Sequence, residues 1–211
     1  MRSFAMLACT AASLASCGPK PLTLPEQLID RAATCGVVAA ATARVGTDMK
    51  SPLSFEAQGE TLRYPLIAGS QGESFSADAA SSVSKRMSEL QESITGGKWQ
   101  DLQPACAAAL SDVGKKSVEL PADRFEAQLA CDELADFMTK ALESQESDYG
   151  NELAEYRELG RKLDAPLGAG LKSRAGEGLE GQQAERRKAL SAAARLGSPV
   201  AVLKQCIARY G

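Results

Sequence analysis

The chain reads as a mainly α protein, a helical bundle of five to seven helices held by two disulfides. Three observations carry that reading. Apolar residues recur at helical spacing over most of the 211 residues, alanine is abundant while aromatics make up only 5%, and the six cysteines leave an even number once the N-terminal segment is set aside. High alanine favours helix and lets helices approach closely. A chain of this length buries a sizeable core, so residues 26–211 are taken as one domain.

The elements follow in order. Pro25 suits a first helical turn, with Glu26 on its positive end. Leu28, Ala32, Cys35 and Ala39 then mark a helix that closes near Gly46. Leu53, Phe55 and Ala57 alternate with polar residues, as do Leu62, Tyr64 and Leu66. This pattern predicts a small β-hairpin over about 52–67, with Pro65 confining its second strand to an edge; a plain loop is the alternative. Val83, Met87, Leu90 and Ile94 restore the helical period, which Gly96-Gly97 ends. Trp99, Leu102, Cys106, Ala109 and Val113 form the next stripe, with Pro104 implying a short first turn before the helix proper. After Lys115-Lys116 and Pro121, a helix places Ala127, Ala130, Cys131, Leu134, Phe137, Met138 and Ala141 on one face. Tyr149, Leu153, Tyr156 and Leu163 predict a helix stopping before Pro166, and residues 166–183, rich in Gly and charge, a flexible connection. A helix around Leu190 and another opened by Ser198-Pro199, carrying Leu203, Cys206, Ile207 and Tyr210, complete the chain.

Residues 1–17 have a different character. Arg2 precedes the uncharged run Phe4–Ala15, which is shorter than the roughly 20 residues a membrane-spanning helix needs. The run closes on Leu14-Ala15-Ser16-Cys17. That tetrad resembles the lipobox of bacterial lipoprotein precursors, and the resemblance covers these 17 residues alone. It implies a signal peptide over 1–16 and a diacylated Cys17. Gly18 after the cysteine implies an outer-membrane destination facing the periplasm. Residues 17–25, with Pro19, Pro21 and Pro25, then form a short stiff tether. The competing reading is a plain secretory signal.

Cys9 would leave with the signal and Cys17 would carry lipid, so Cys35, Cys106, Cys131 and Cys206 remain for two disulfides. Three pairings exist. Cys106 and Cys131 lie at similar distances on either side of the break near residue 118, so an antiparallel hairpin would bring them level. The expectation is therefore Cys106–Cys131, with Cys35–Cys206 tying the first helix to the last.

Charge and composition exclude much chemistry. Without histidine there is no Ser-His-Asp or Cys-His nucleophile and no imidazole metal ligand. A formal net charge of −3 gives no basic face for nucleic acid. The cysteines lack Cys-x-x-Cys spacing, so no redox or zinc motif is formed. Gly176–Gly181 spells G-x-G-x-x-G, but no apolar strand precedes it and Glu177 and Glu180 would repel a pyrophosphate. Ser82-Val83-Ser84-Lys85 contains S-x-x-K, yet Val83 belongs to the core stripe and the companion motifs are absent. The acidic run Glu143–Asp148 could supply a carboxylate for glycan cleavage, but a solvated face is the ordinary outcome for such a run. Arg186-Arg187-Lys188 could meet anionic headgroups, although Glu180 and Glu185 suggest pairs along its own helix. No catalytic residue, metal site or cofactor is assigned.

The functional expectation is a lipid-anchored envelope protein serving as a structural or interaction module, its partners being the membrane and an envelope protein. One alternative is an apolar-ligand carrier with a pocket lined by Trp99, Phe125, Phe137 and Met138. The other is a carboxylate-dependent cell-wall glycan hydrolase.

Overall fold

The computed structural model describes residues 22–48, 51–109 and 118–211. Residues 1–16, expected to be a signal peptide, and Cys17, Val113 and Lys115-Lys116 lie outside them. The described chain forms α1 (Leu28–Ala43), α2 (Phe55–Gly69), α3 (Ala77–Thr95), a 3-10 turn at Trp99–Leu102 and a short α4 (Gln103–Ala109). There follow α5 (Arg124–Leu142), α6 (Glu146–Ala175), α7 (Leu179–Ala193) and α8 (Pro199–Tyr210). Among the described residues there is no strand, and the α-helical bundle expected from the sequence is what forms.

Two groups of helices share α2. In one, α1 packs on α2 and α3, and the turn at Trp99 with α4 lies against α1. In the other, α5 packs on α6, α7 and α8. α2 supplies Phe55 and Leu66 to the large core with α5–α8, Tyr64 to the cluster around Cys35 and Trp99, and Ala68 to a third with Ala33 and Val83. This central position explains why residues 52–67 do not form the expected hairpin. Ser54 caps α2 by accepting a hydrogen bond from the Ala57 N–H, and Glu56 sits in its positive first turn. Pro65 lies inside the helix, removing one N–H from its ladder. Burial on several sides outweighs that loss. At Gly59 the backbone comes so close to Val200 of α8 that a Cβ would overlap the valine side chain.

The second correction concerns 166–183. α6 runs through Pro166 to Ala175, because the buried stripe Leu153, Tyr156, Leu159 and Leu163 continues through Leu167 and Leu171. Pro166 and Lys162, whose carbonyl loses its partner, are both exposed, so water can satisfy that carbonyl. Gly170 lies where a Cβ would strike the Phe125 ring. Only Gly176–Gly178 separates α6 from α7, and Gly176 has φ +77°, a left-handed turn suited to glycine.

The third correction is the disulfide pairing. Cys35 is bonded to Cys106 and Cys131 to Cys206. The expected hairpin of the Cys106 helix with α5 does not occur, since the apolar side of Trp99, Leu102 and Cys106 faces α1. Each bridge therefore closes one helix group upon itself. In the chain-entropy picture, loops of 71 and 75 residues are each worth about 4 kcal/mol.

Near the N-terminus, α1 opens at Leu28 rather than at Pro25, with Gln27 in the capping position. Leu22 and Leu24 already pack against the cluster containing Trp99 and Cys106, so the body of the protein reaches into the segment assigned to the tether.

The link between α2 and α3 is pinned by α7 and the turn that follows it. Ser191 Oγ and Arg195 Nη2 both donate to the carbonyls of Ser70 and Gly72, and the Phe75 N–H donates to the Arg187 carbonyl at 3.0 Å. Tyr149 donates its hydroxyl to the Leu53 carbonyl at 2.8 Å, tying α6 to the approach to α2. Its ring stands edge-on to Phe55.

Candidate functional site

A cluster of shielded charge that spans separate helices through a single side chain begins on α5. Asp123 caps this helix by accepting from the Glu126 N–H. Ala127, Ala130, Cys131, Leu134 and Met138 form its buried side. Asp132 and Glu133 interrupt the apolar sequence between Cys131 and Leu134, and the flank of α5 that carries them is covered by α7.

Arg186 reaches across from α7, and its Nη1 donates to Asp132 Oδ2 at 2.9 Å and to Glu133 Oε1. The carboxylate side chains are only 17% and 13% exposed, and Arg186 is 36% exposed. Burial pushes both carboxyl groups above the ordinary carboxylate range, against the opposing pull of Arg186. Asp136, one turn along α5, adds to the upward shift of both, and Asp164 on α6 adds to that of Asp132. Asp136 itself is paired with Lys140 at 2.7 Å. Two shielded acids thus share one cation, an arrangement that binds protons more readily than free carboxylates and latches α7 onto α5. Among the described residues no group of three or more Cys, Asp or Glu side chains is placed to hold a metal ion.

The sequence-derived candidates fall as follows. All four cysteines proposed for disulfides are bonded, with the partners exchanged as described. Trp99 is a core residue of the first helix group, whereas Phe125, Phe137 and Met138 belong to the second. Phe137 meets Phe75 edge-on, and Arg174 stacks over Phe125 at 4.5 Å. The four side chains proposed to line a carrier pocket are therefore not brought together. Ser82 and Lys85 are exposed on either side of buried Val83. In the acidic run, Glu143, Glu146 and Asp148 are exposed, and Glu146 is held by Arg157. Glu177 and Glu180 are exposed as well. Arg186 departs from the expected pairing along its own helix by crossing to α5. An open groove of about 340 Å³, lined by Leu120, Gln205, Ala208 and Arg209, lies beside α8.

The sequence did carry a signal for the ionic latch. Two adjacent acids embedded between Cys131 and Leu134 stand where a core-facing helix needs a counter-charge. Nothing in the spacing identified Arg186 as that partner.

No known protein family, curated protein or solved structure matches the chain.

Proposed function

We propose that the chain is an exported envelope protein, anchored by lipid at Cys17, whose helical body acts as a structural or interaction module at the outer membrane. The observation that carries this reading is the order Arg2, an uncharged run, and Leu14-Ala15-Ser16-Cys17. The disulfides lend support, since two buried bridges suit an oxidising compartment outside the cytosol. No helix among the described residues is long and apolar enough to cross a membrane. An interaction role follows from the attachment itself, because tethering raises effective concentration at a surface.

Metabolic labelling with palmitate in a bacterial host tests the anchor. Label in the native chain and none in Cys17→Ser is the expected result; equal label in both defeats it. In-cell crosslinking of the anchored protein tests the module. A discrete crosslinked partner supports an interaction role, and recovery of the monomer alone opposes it.

A further inference from the structure

The packing of Leu22 and Leu24 fixes which side of the body lies nearest the anchor. Leu22 is the first described residue, and its Cδ1 packs at Gly97, just beyond the C-terminal end of α3. Both leucines rest on the cluster that holds Trp99 and Cys106. Cys17 and Leu22 are five peptide steps apart, which even at full extension span no more than about 18 Å. A lipid on Cys17 therefore keeps the surface at Gly97 within that distance of the bilayer.

The opposite end is defined by the same helix. From Ser76, before α3, to Gly97, beyond it, the chain rises by about 30 Å. At that far end the Phe75 N–H is bonded to the Arg187 carbonyl, which places the basic run Arg186-Arg187-Lys188 about one helix length from Gly97. Arg186 is moreover engaged with Asp132 and Glu133. At the near end, Thr23, Gly96, Lys98 and Gln100 are exposed. Lys98 is accompanied at that end by exposed Glu92 and Asp101, so the short reach from Cys17, rather than charge, is what brings this surface to the bilayer.

From this geometry we propose that the protein stands end-on, with the surface formed by Thr23 and Gly96–Gln100 facing the lipid bilayer and the α7 end projecting away from it. This inference rests on lipidation of Cys17. It makes the basic run of α7 a distal feature rather than a headgroup contact, and leaves the α7 end as the one a partner in the aqueous space would meet.

Trp99, the single tryptophan, is a built-in reporter. The acylated protein is placed in phosphatidylethanolamine–phosphatidylglycerol vesicles carrying dansyl headgroups, and energy transfer from tryptophan is measured. The native chain is expected to transfer strongly. Adding a second donor far from the membrane, by Arg187→Trp with Trp99 retained, should lower the mean transfer efficiency to roughly half, because transfer to a plane of acceptors falls steeply with height. A mean that stays level or rises in Arg187→Trp overturns the end-on placement, as does weak transfer from the native chain. Position 187 is exposed and uses only its carbonyl in the contact described, so the substitution leaves the fold intact. Intact-mass measurement on the same sample reports acylation separately. Loss of the acyl mass refutes the anchor, and the placement with it; an acylated chain with level transfer refutes the placement alone.

Discussion

Replacing Arg186 by Met strips the shared cation from Asp132 and Glu133 while keeping an apolar stem of similar helix propensity. At an effective dielectric of about 20, an ion pair at 2.9 Å has a Coulomb energy on the order of 5 kcal/mol. Removing one partner of a buried pair typically costs about 3–5 kcal/mol. Arg186 is about one-third exposed, so water screens part of the interaction and the lower end applies.

Protonation sets a second bound. Each orphaned acid can be kept neutral, which at about 1.4 kcal/mol per pH unit above an unfolded value near 4 bounds the cost for the two together at about 8 kcal/mol at pH 7 and about 3 at pH 5. The expected loss in Arg186→Met is thus about 3 kcal/mol at pH 7, set by the lost ion pairs, and smaller at pH 5, where neutralising the acids costs less. The native protein follows the same sign more weakly. Both carboxyls are raised on folding, so their contribution is fully present below the unfolded value near 4 and is lost as pH rises through the folded values. Urea unfolding followed by circular dichroism at the two pH values measures this. A loss that is the same at both, or under about 0.5 kcal/mol at pH 7, refutes the account of two shielded acids held by one arginine.

Three further outcomes are expected. Cys131→Ala with Cys206→Ala should lower stability by about 4 kcal/mol in denaturant titrations, and non-reducing peptide mapping of the native chain should recover the pairs 35–106 and 131–206 alone. Gly59→Ala should destabilise by about 1–2 kcal/mol because overlap with Val200 outweighs the gain in helix propensity, whereas Gly168→Ala, in open space, should stabilise by about 0.5–1 kcal/mol; the same sign for both in thermal unfolding would contradict the close approach of α2 and α8. Tyr149→Phe leaves the Leu53 carbonyl without its hydroxyl donor and should cost about 1 kcal/mol by chemical denaturation, an unchanged midpoint being the contrary result.

Where one side of a helix meets solvent, its period was legible in the sequence. Val83, Met87, Leu90 and Ile94 mark α3 because exposed serines and charges separate them. α2 escaped because it has little such contrast: Gly59, Thr61, Tyr64, Pro65, Leu66, Ile67, Ala68 and Gly69 are all buried, and apolar residues on several sides of a helix can resemble the alternation of a strand. Pro166 misled by its type rather than its position, since an exposed proline leaves the buried leucines of α6 in phase. The cysteine pairing required knowing that α4 turns toward α1, a tertiary choice that helix spacing does not encode. The ionic latch was half visible for the same reason. Asp132 and Glu133 advertise a shielded charge, but Arg186 lies 54 residues from Asp132 and meets it only through the packing of α7 on α5.

The way the two bridges follow one another along the chain also has a mechanical consequence. The loops 35–106 and 131–206 are consecutive and do not interlock. Tension applied between Leu22 and Gly211 passes from Cys35 straight to Cys106 and from Cys131 straight to Cys206. Only residues 22–35, 106–131 and 206–211 carry the load, while α2, α3, α6 and α7 hang in covalent loops outside the line of force. Pulled by its ends, the protein yields a short extensible thread, and most of its length stays out of reach of the pull until a disulfide is reduced.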